Sequence, residues 1–367
     1  MKLPWKGLLA AVLASARCGA STDTKAIDCR PNTTSSVIAV ANLDQQISQL
    51  GNEAGVEQFL LVRSRFLGDY DALDRASSLG ESRFGTSRQL LLRARTRSAV
   101  HRFADALADL AAAERAGAKR DEVAVFRASI LVAVGRAAEA IPLLEGGLVR
   151  NPGFASRSAL AGAYAELGRL ADADRLYVEA LRDLDTTLPF PYAWIYFARG
   201  LMWVEQGRDP VRGEALFKQA LTYLPEFVAA NIHLAELEIA RGDIQSAMPR
   251  LERVVQLSNE PEAAALLGML HMRIGNTARG THEIELARRR YDSLLARYPL
   301  AFADHASEFY LGPGADPERA WILAQQNFVN RQTEHAAALV IKAAEASGHH
   351  CEARALLERY PNLARAN

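Results

Sequence analysis

An all-α chain built from repeated helical hairpins is the fold class this sequence predicts, and three observations predict it. Glycines that follow an apolar helical stretch recur at a nearly fixed interval: the steps Gly135 to Gly168, Gly207 to Gly242 and Gly242 to Gly275 are 33, 35 and 33 residues. Small residues flank these glycines in register, seven before and five after, as in Ala128–Gly135–Ala140, Ala161–Gly168–Ala173, Ala235–Gly242–Ala247 and Gly268–Gly275–Gly280. Finally, 66 of the 367 residues are alanine, while aromatics make up only 7%. Alanine favours helix, and its small side chain lets two helices approach closely. Length alone suggests two or three domains at ~150 residues each. A period of this size replaces that with one continuous array.

Composition also excludes some functions. Lys plus Arg and Asp plus Glu both number 43, so the formal net charge is zero. A nucleic-acid partner would demand a clustered excess of basic residues. Charged residues at 23% and apolar residues at 49% describe a folded chain rather than a disordered one.

At the start of the chain, the basic lead Met1–Lys6 precedes the ten-residue apolar run from Gly7 to Ala16, which ends in Ala14-Ser15-Ala16. This is the three-part layout of a secretory signal peptide, expected within residues 1–20. The run is shorter than the ~20 apolar residues needed to cross a bilayer, and no transmembrane span is expected in the mature chain. Cys18 invites a lipid-anchor reading, but Arg17 stands where that signal has a small residue. Membrane association is therefore expected only if Cys18 is lipidated. An exported, periplasmic or secreted location follows as an expectation. Residues 21–36 are polar and aperiodic and read as a flexible leader. Of the three cysteines, Cys29 and Cys351 could pair in an oxidising compartment, given either a flexible leader or a closed superhelix.

From residue 37 onward the repeat governs the reading. Each turn glycine takes the left-handed conformation that ends a first helix. Large residues fill the shoulders around the small ones: Leu160, Tyr164, Tyr177 and Leu181 in one unit, Trp203, Phe217 and Leu221 in the next. Pro152, Pro225 and Pro261 stop helices between units. Three departures stand out. His101 replaces the turn glycine of the second unit, residues 188–192 insert before the fifth, and the second helix of the seventh runs on towards Tyr298 before Pro299.

With Ala128, Leu131, Gly135, Ala140, Leu144, Leu148 and Pro152 on its signature places, residues 121–153 resemble the tetratricopeptide repeat, a helix-turn-helix unit of about 34 residues. Residues 154–187 match nearly as well, and 193–226, 228–260 and 261–294 follow; about nine units cover 37–367. The resemblance implies a right-handed superhelical solenoid whose first helices line a concave groove. The groove positions it assigns are Arg88 and Arg95 near the start, Trp194, Phe197 and Leu201 in the fifth unit, Ile232, Glu236 and Ile239 in the sixth, and Met269 and Met272 in the seventh. An apolar strip of this kind suits a peptide or an amphipathic helix. The expected function is a noncatalytic protein-interaction scaffold in the bacterial envelope, with a protein or peptide as partner. The other reading keeps the solenoid but makes it a small-ligand receptor or an enzyme accessory, which a closed pocket at Trp194, Phe197 and Glu236 would favour.

Catalytic chemistry finds no motif: there is no G-x-S-x-G, no phosphate-binding loop and no H-E-x-x-H. His349-His350-Cys351 places metal-capable side chains side by side, but adjacent helical residues point apart, so neither a metal nor a cofactor is expected. Residues 61–102 carry nine arginines against four acids. These read more readily as paired with nearby carboxylates than as an anion-binding patch.

Overall fold

A computed structural model of the protein describes residues 33–361 and residue 363. The expected signal segment, Cys18, Cys29 and most of the expected leader lie outside the described residues. The first described helix, α1 (Ser36–Leu50), buries Ala39, Leu43 and Ile47. Nine antiparallel hairpins follow. They are α2 (Val56–Leu67) with α3 (Tyr70–Glu81), α4 (Ser87–Ala99) with α5 (Phe103–Arg115), and α6 (Arg120–Ala133) with α7 (Ala137–Arg150). Next come α8 (Phe154–Glu166) with α9 (Leu170–Arg182), α10 (Pro189–Glu205) with α11 (Pro210–Tyr223), and α12 (Val228–Ala240) with α13 (Ile244–Leu257). The last three are α14 (Pro261–Arg273) with α15 (Thr277–Arg297), α16 (Pro299–Leu311) with α17 (Pro317–Asn330), and α18 (Glu334–Ser347) with α19 (His350–Arg359). The architecture is an all-α repeat solenoid.

One backbone hydrogen bond builds most of the turns. The amide just past the turn residue returns to the carbonyl five residues earlier, as in Arg136 N to Leu131 O at 2.8 Å and Asn276 N to His271 O at 2.9 Å. It satisfies carbonyls that the end of a helix leaves open. The fifth and eighth units carry one extra residue and use a six-residue step instead, Asp209 N to Trp203 O and Asp316 N to Tyr310 O. The left-handed residue moves accordingly to Arg208 and Ala315. Gly207, read from sequence as the left-handed residue of its turn, serves closeness instead: a methyl group there would fall 2.5 Å from the Trp203 ring. Asp209, Asp243, Asn276 and Asp316 then accept the amide three residues on and cap the second helices.

The small positions pack as the spacing predicts. Ala128, Ala140, Ala161, Ala173, Ala235 and Ala247 are fully buried. A methyl group on Gly268 would reach within 2.7 Å of Ile284 and one on Gly280 within 2.7 Å of Met272, so α14 and α15 touch nearly backbone to backbone. The insertion at residues 188–192 lengthens α10 to 17 residues, with two prolines in its first turn, where helices accept them.

The coil also meets itself. Turns of the first three units dock on the junctions between units near the far end, some 190 to 230 residues later in the chain. Asn259 N donates to Gly68 O at 3.2 Å, and Gln332 N donates to Val134 O at 3.2 Å. Between them, His101 Nδ1 donates to Leu300 O at 3.0 Å, and Asn330 Nδ2 donates to the His101 carbonyl at 3.0 Å. Arg331 Nε reaches the Ala133 carbonyl at 3.0 Å. Asp74 pairs with Arg297, and the Tyr70 ring meets Phe302 edge to face. The odd histidine in the repeat thus has a physical reason. It holds the turn's positive φ of 57° and also supplies a side-chain donor that a glycine lacks. Burial next to Arg331 pushes its imidazole down to about 3, so it stays neutral at ordinary pH.

Candidate functional site

Closure of the coil decides where the expected groove residues lie. Trp194, Phe197, Leu201 and Ile232 are buried, at 5%, 1%, 2% and 2% exposure. They do not face an open groove. The first unit covers them: Phe66 packs on Phe190 and Phe227 with centroids 5.2 and 4.7 Å apart, and Phe227 packs on Phe197 at 4.8 Å. Assigning the strip to a surface assumed a coil open enough to leave its inner face in water. Here the first unit fills that space. Replacing Phe197 with alanine is therefore expected to cost about 3–5 kcal/mol, as for a buried ring. Urea denaturation measures it, and a loss under 1 kcal/mol would mean that the ring faces solvent.

The remaining expected positions divide. Ile239 is half-buried, while Met269 and Met272 are exposed at 46% and 44% on the first helix of the seventh unit. Glu236, half-buried on α12, accepts from His233 Nδ1 at 2.9 Å if that nitrogen carries the proton. Arg88 is exposed. Arg95 is tucked in and pairs with Glu122 at 2.8 Å. Its arginine neighbours form a network with carboxylates: Arg93 and Arg97 share Asp109 at 2.6 and 3.0 Å, and Arg97 and Arg102 share Glu81 at 2.7 and 2.8 Å. Glu57, almost fully buried, takes Arg83. Six of the nine arginines, at 63, 83, 93, 95, 97 and 102, are thus paired with carboxylates.

Where the first unit meets the sixth and seventh, a small, partly enclosed cavity of about 40 Å³ remains. Ser64, Arg65 and Tyr70 bound it on one side, Trp194, Phe197 and Ile232 on another, and Glu260 and Glu262 on a third. Tyr70 donates its hydroxyl to Glu260. Burial next to that carboxylate pushes the phenol far above its usual range. Arg65 lies with its guanidinium 5.2 Å from the centre of the Trp194 ring, and burial lowers it to about 10. Glu262 is 8% exposed and has no hydrogen-bond donor on its carboxyl among the described residues, His305 Nδ1 standing off at 3.6 Å. Burial, reinforced by Glu236, Glu260 and Glu308, drives it well above the carboxylate range. Glu308, on α16, rises to about 7 for the same first reason. The interior wall is therefore acidic in composition, with burial working against its charge.

This cavity was not visible in the sequence, because its two sides come from units far apart in the chain. The only trace there was the placing of Glu260 and Glu262 around Pro261, at a junction. Among the described residues no set of three His, Cys, Asp or Glu side chains is grouped to hold a metal ion. Cys351 is exposed and unpaired among them, and His349 stacks on Trp321 with centroids 4.9 Å apart. No helix among the described residues is long and apolar enough to cross a membrane.

Comparison with known proteins places the repeat. Residues 205–270, the end of the fifth unit through most of α14, match the family model of the tetratricopeptide repeat. No curated protein matches the chain in sequence. Among solved structures, a tetratricopeptide repeat protein from Parabacteroides merdae is 18% identical over 70% of this chain and 98% of its own, with a TM-score of 0.42. The Cut9–Hcn1 hetero-tetramer of the APC/C is 14% identical over 90% and 73%, with a TM-score of 0.49. A thermophilic tetratricopeptide repeat protein from Thermus thermophilus is 20% identical over 53% and 99%, with a TM-score of 0.39. Residues 205–270 thus match the tetratricopeptide repeat, and the same hairpin register and turn bond recur along the all-α repeat solenoid.

Proposed function

We propose that this protein is an exported, noncatalytic scaffold that holds a partner polypeptide on the accessible part of its concave wall. A tetratricopeptide solenoid supports protein–protein interaction in general. The observation that carries the finer reading is the pair Met269 and Met272. These two flexible, polarizable side chains remain exposed on the first helix of the seventh unit, while Trp194, Phe197, Leu201 and Ile232 of the same strip are core. The binding face is thereby smaller than the repeat pattern alone implies, and its partner is apolar. Export rests on the layout of residues 1–20, which the mass of the mature N-terminus tests directly.

The double variant Met269→Asp, Met272→Asp tests the binding face. Crosslinking in the native cells should enrich a protein partner with the parent chain and lose it at least tenfold with the variant. The denaturation midpoint should move less than in Phe197→Ala, because both side chains are nearly half exposed. Equal enrichment with both chains would refute this face.

A further inference from the structure

Four of the five methionines lie among the described residues, and they fall into three environments. Met202 is completely buried in the core, Met248 is half-buried, and Met269 and Met272 are 46% and 44% exposed. The last two stand three residues apart on α14 and so share one side of that helix. Met272 has a second feature. A methyl group on Gly280 would fall 2.7 Å from both its Cγ and its Sδ, so the thioether rests on the bare backbone of α15 in a notch that a larger residue would fill. A thioether sulfur carries two lone pairs and reacts with two-electron oxidants where the oxidant can reach it.

We propose that Met269 and Met272 form a peroxide-sensitive modification site, whose conversion to methionine sulfoxide turns this face from apolar to polar and releases what it holds. The release rests on the partner reading of the same face given under Proposed function; the modification does not. A sulfur lone pair attacks one oxygen of the peroxide, and the S–O bond forms as the O–O bond breaks. The departing hydroxide takes the proton of the transferred hydroxyl and leaves as water. Sulfur loses two electrons and the peroxide gains them. A thiol-dependent reductase reverses the step: two thiols become a disulfide and the oxygen leaves as water. Each sulfoxide brings a strong acceptor and no donor onto the face. An apolar partner offers it no hydrogen bond, so docking would strip its water without replacement. At Met272 the side of the sulfur turned to α15 is closed by the Gly280 backbone, so the added oxygen points away from the hairpin, towards the partner.

Peptide mass mapping of the full chain in dilute hydrogen peroxide tests the modification. Met269 and Met272 should gain oxygen about tenfold faster than Met202, with Met248 between. Retention on a hydrophobic-interaction column should fall as they oxidise and return after methionine sulfoxide reductase with dithiothreitol. It should stay unchanged when the Met269→Leu, Met272→Leu variant is treated, because leucine keeps the apolar bulk and removes the sulfur. Equal rates at all four methionines, or a loss of retention as large in the leucine variant, would overturn the site. Crosslinking in the native cells reads the release. Peroxide should cut partner enrichment about tenfold with the parent chain and leave the leucine variant as it was. Equal enrichment before and after complete oxidation of the parent would overturn the release and leave the partner reading intact. An untreated parent that enriches no protein refutes the partner reading, and the release with it, while rates and retention still decide the modification.

Discussion

Gly135→Ala is expected to unfasten the coil and cost about 3 kcal/mol, while Gly275→Ala in an equivalent turn costs only about 1 kcal/mol. Both glycines hold the same left-handed conformation, at φ +88° and +83°, so the backbone penalty for an L side chain is common to both. Their surroundings differ. A methyl group at Gly275 meets nothing within 4 Å, whereas one at Gly135 would sit 2.4 Å from the carbonyl oxygen of Gln332 and 2.7 Å from its carbon. Those are backbone atoms, which cannot rotate away. The docked strand of backbone must lift, and with it go the Gln332 amide bond to Val134 O and the Arg331 bond to Ala133 O. The second leaves the buried Arg331 partly unsatisfied, at about 1 kcal/mol or more. Urea denaturation gives both losses, and small-angle scattering should show a larger radius of gyration for Gly135→Ala alone. Equal losses and equal radii in the two variants would mean that the coil does not close in solution.

That contrast marks where sequence reading succeeds and where it stops. The hairpins were legible because everything that makes them is local: a turn residue at positive φ, small residues seven before and five after, a proline between units. The long second helix of the seventh unit was legible too, and α15 runs unbroken from Thr277 to Arg297. Gly135 looks the same as Gly275 in the sequence, yet only one of them is pressed against another part of the chain. What separates them is the pitch of the superhelix, a sum of small rotations over nine units that no single motif carries. An error in pitch moves Trp194 and Phe197 from a wetted groove to the core without changing one helix. His101 was the visible clue. A histidine in place of a turn glycine accepts backbone strain, and strain of that kind is kept where a side chain does something glycine cannot.

Arg331→Met should be the most damaging change at the seam, costing about 3–5 kcal/mol at neutral pH, and its effect should shrink in acid. Arg331 Nη1 meets Asp304 Oδ2 at 3.2 Å, with residue exposures of 6% and 1%. Burial alone would raise the Asp304 carboxyl, but His305 and then Arg331 hold it below the ordinary carboxylate range. In the parent chain the stability this supplies is therefore present above pH ~3.9 and lost as pH falls below it, through the lowered folded value. Removing the guanidinium takes away one of these two counter-charges, so the folded value rises. The cost in the variant is then full at high pH and fades as pH falls towards 4, where Asp304 takes a proton and becomes tolerable. His101 stays neutral over this window, since it titrates only near 3. Adding Asp304→Asn to Arg331→Met removes the stranded charge and should recover roughly half of the loss; the bond to Ala133 O stays broken in either case. Denaturation at pH 7 and pH 4.5 measures all three chains. A difference between parent and Arg331→Met that is the same at both pH values would show that the damage is lost packing, not an unpaired carboxylate.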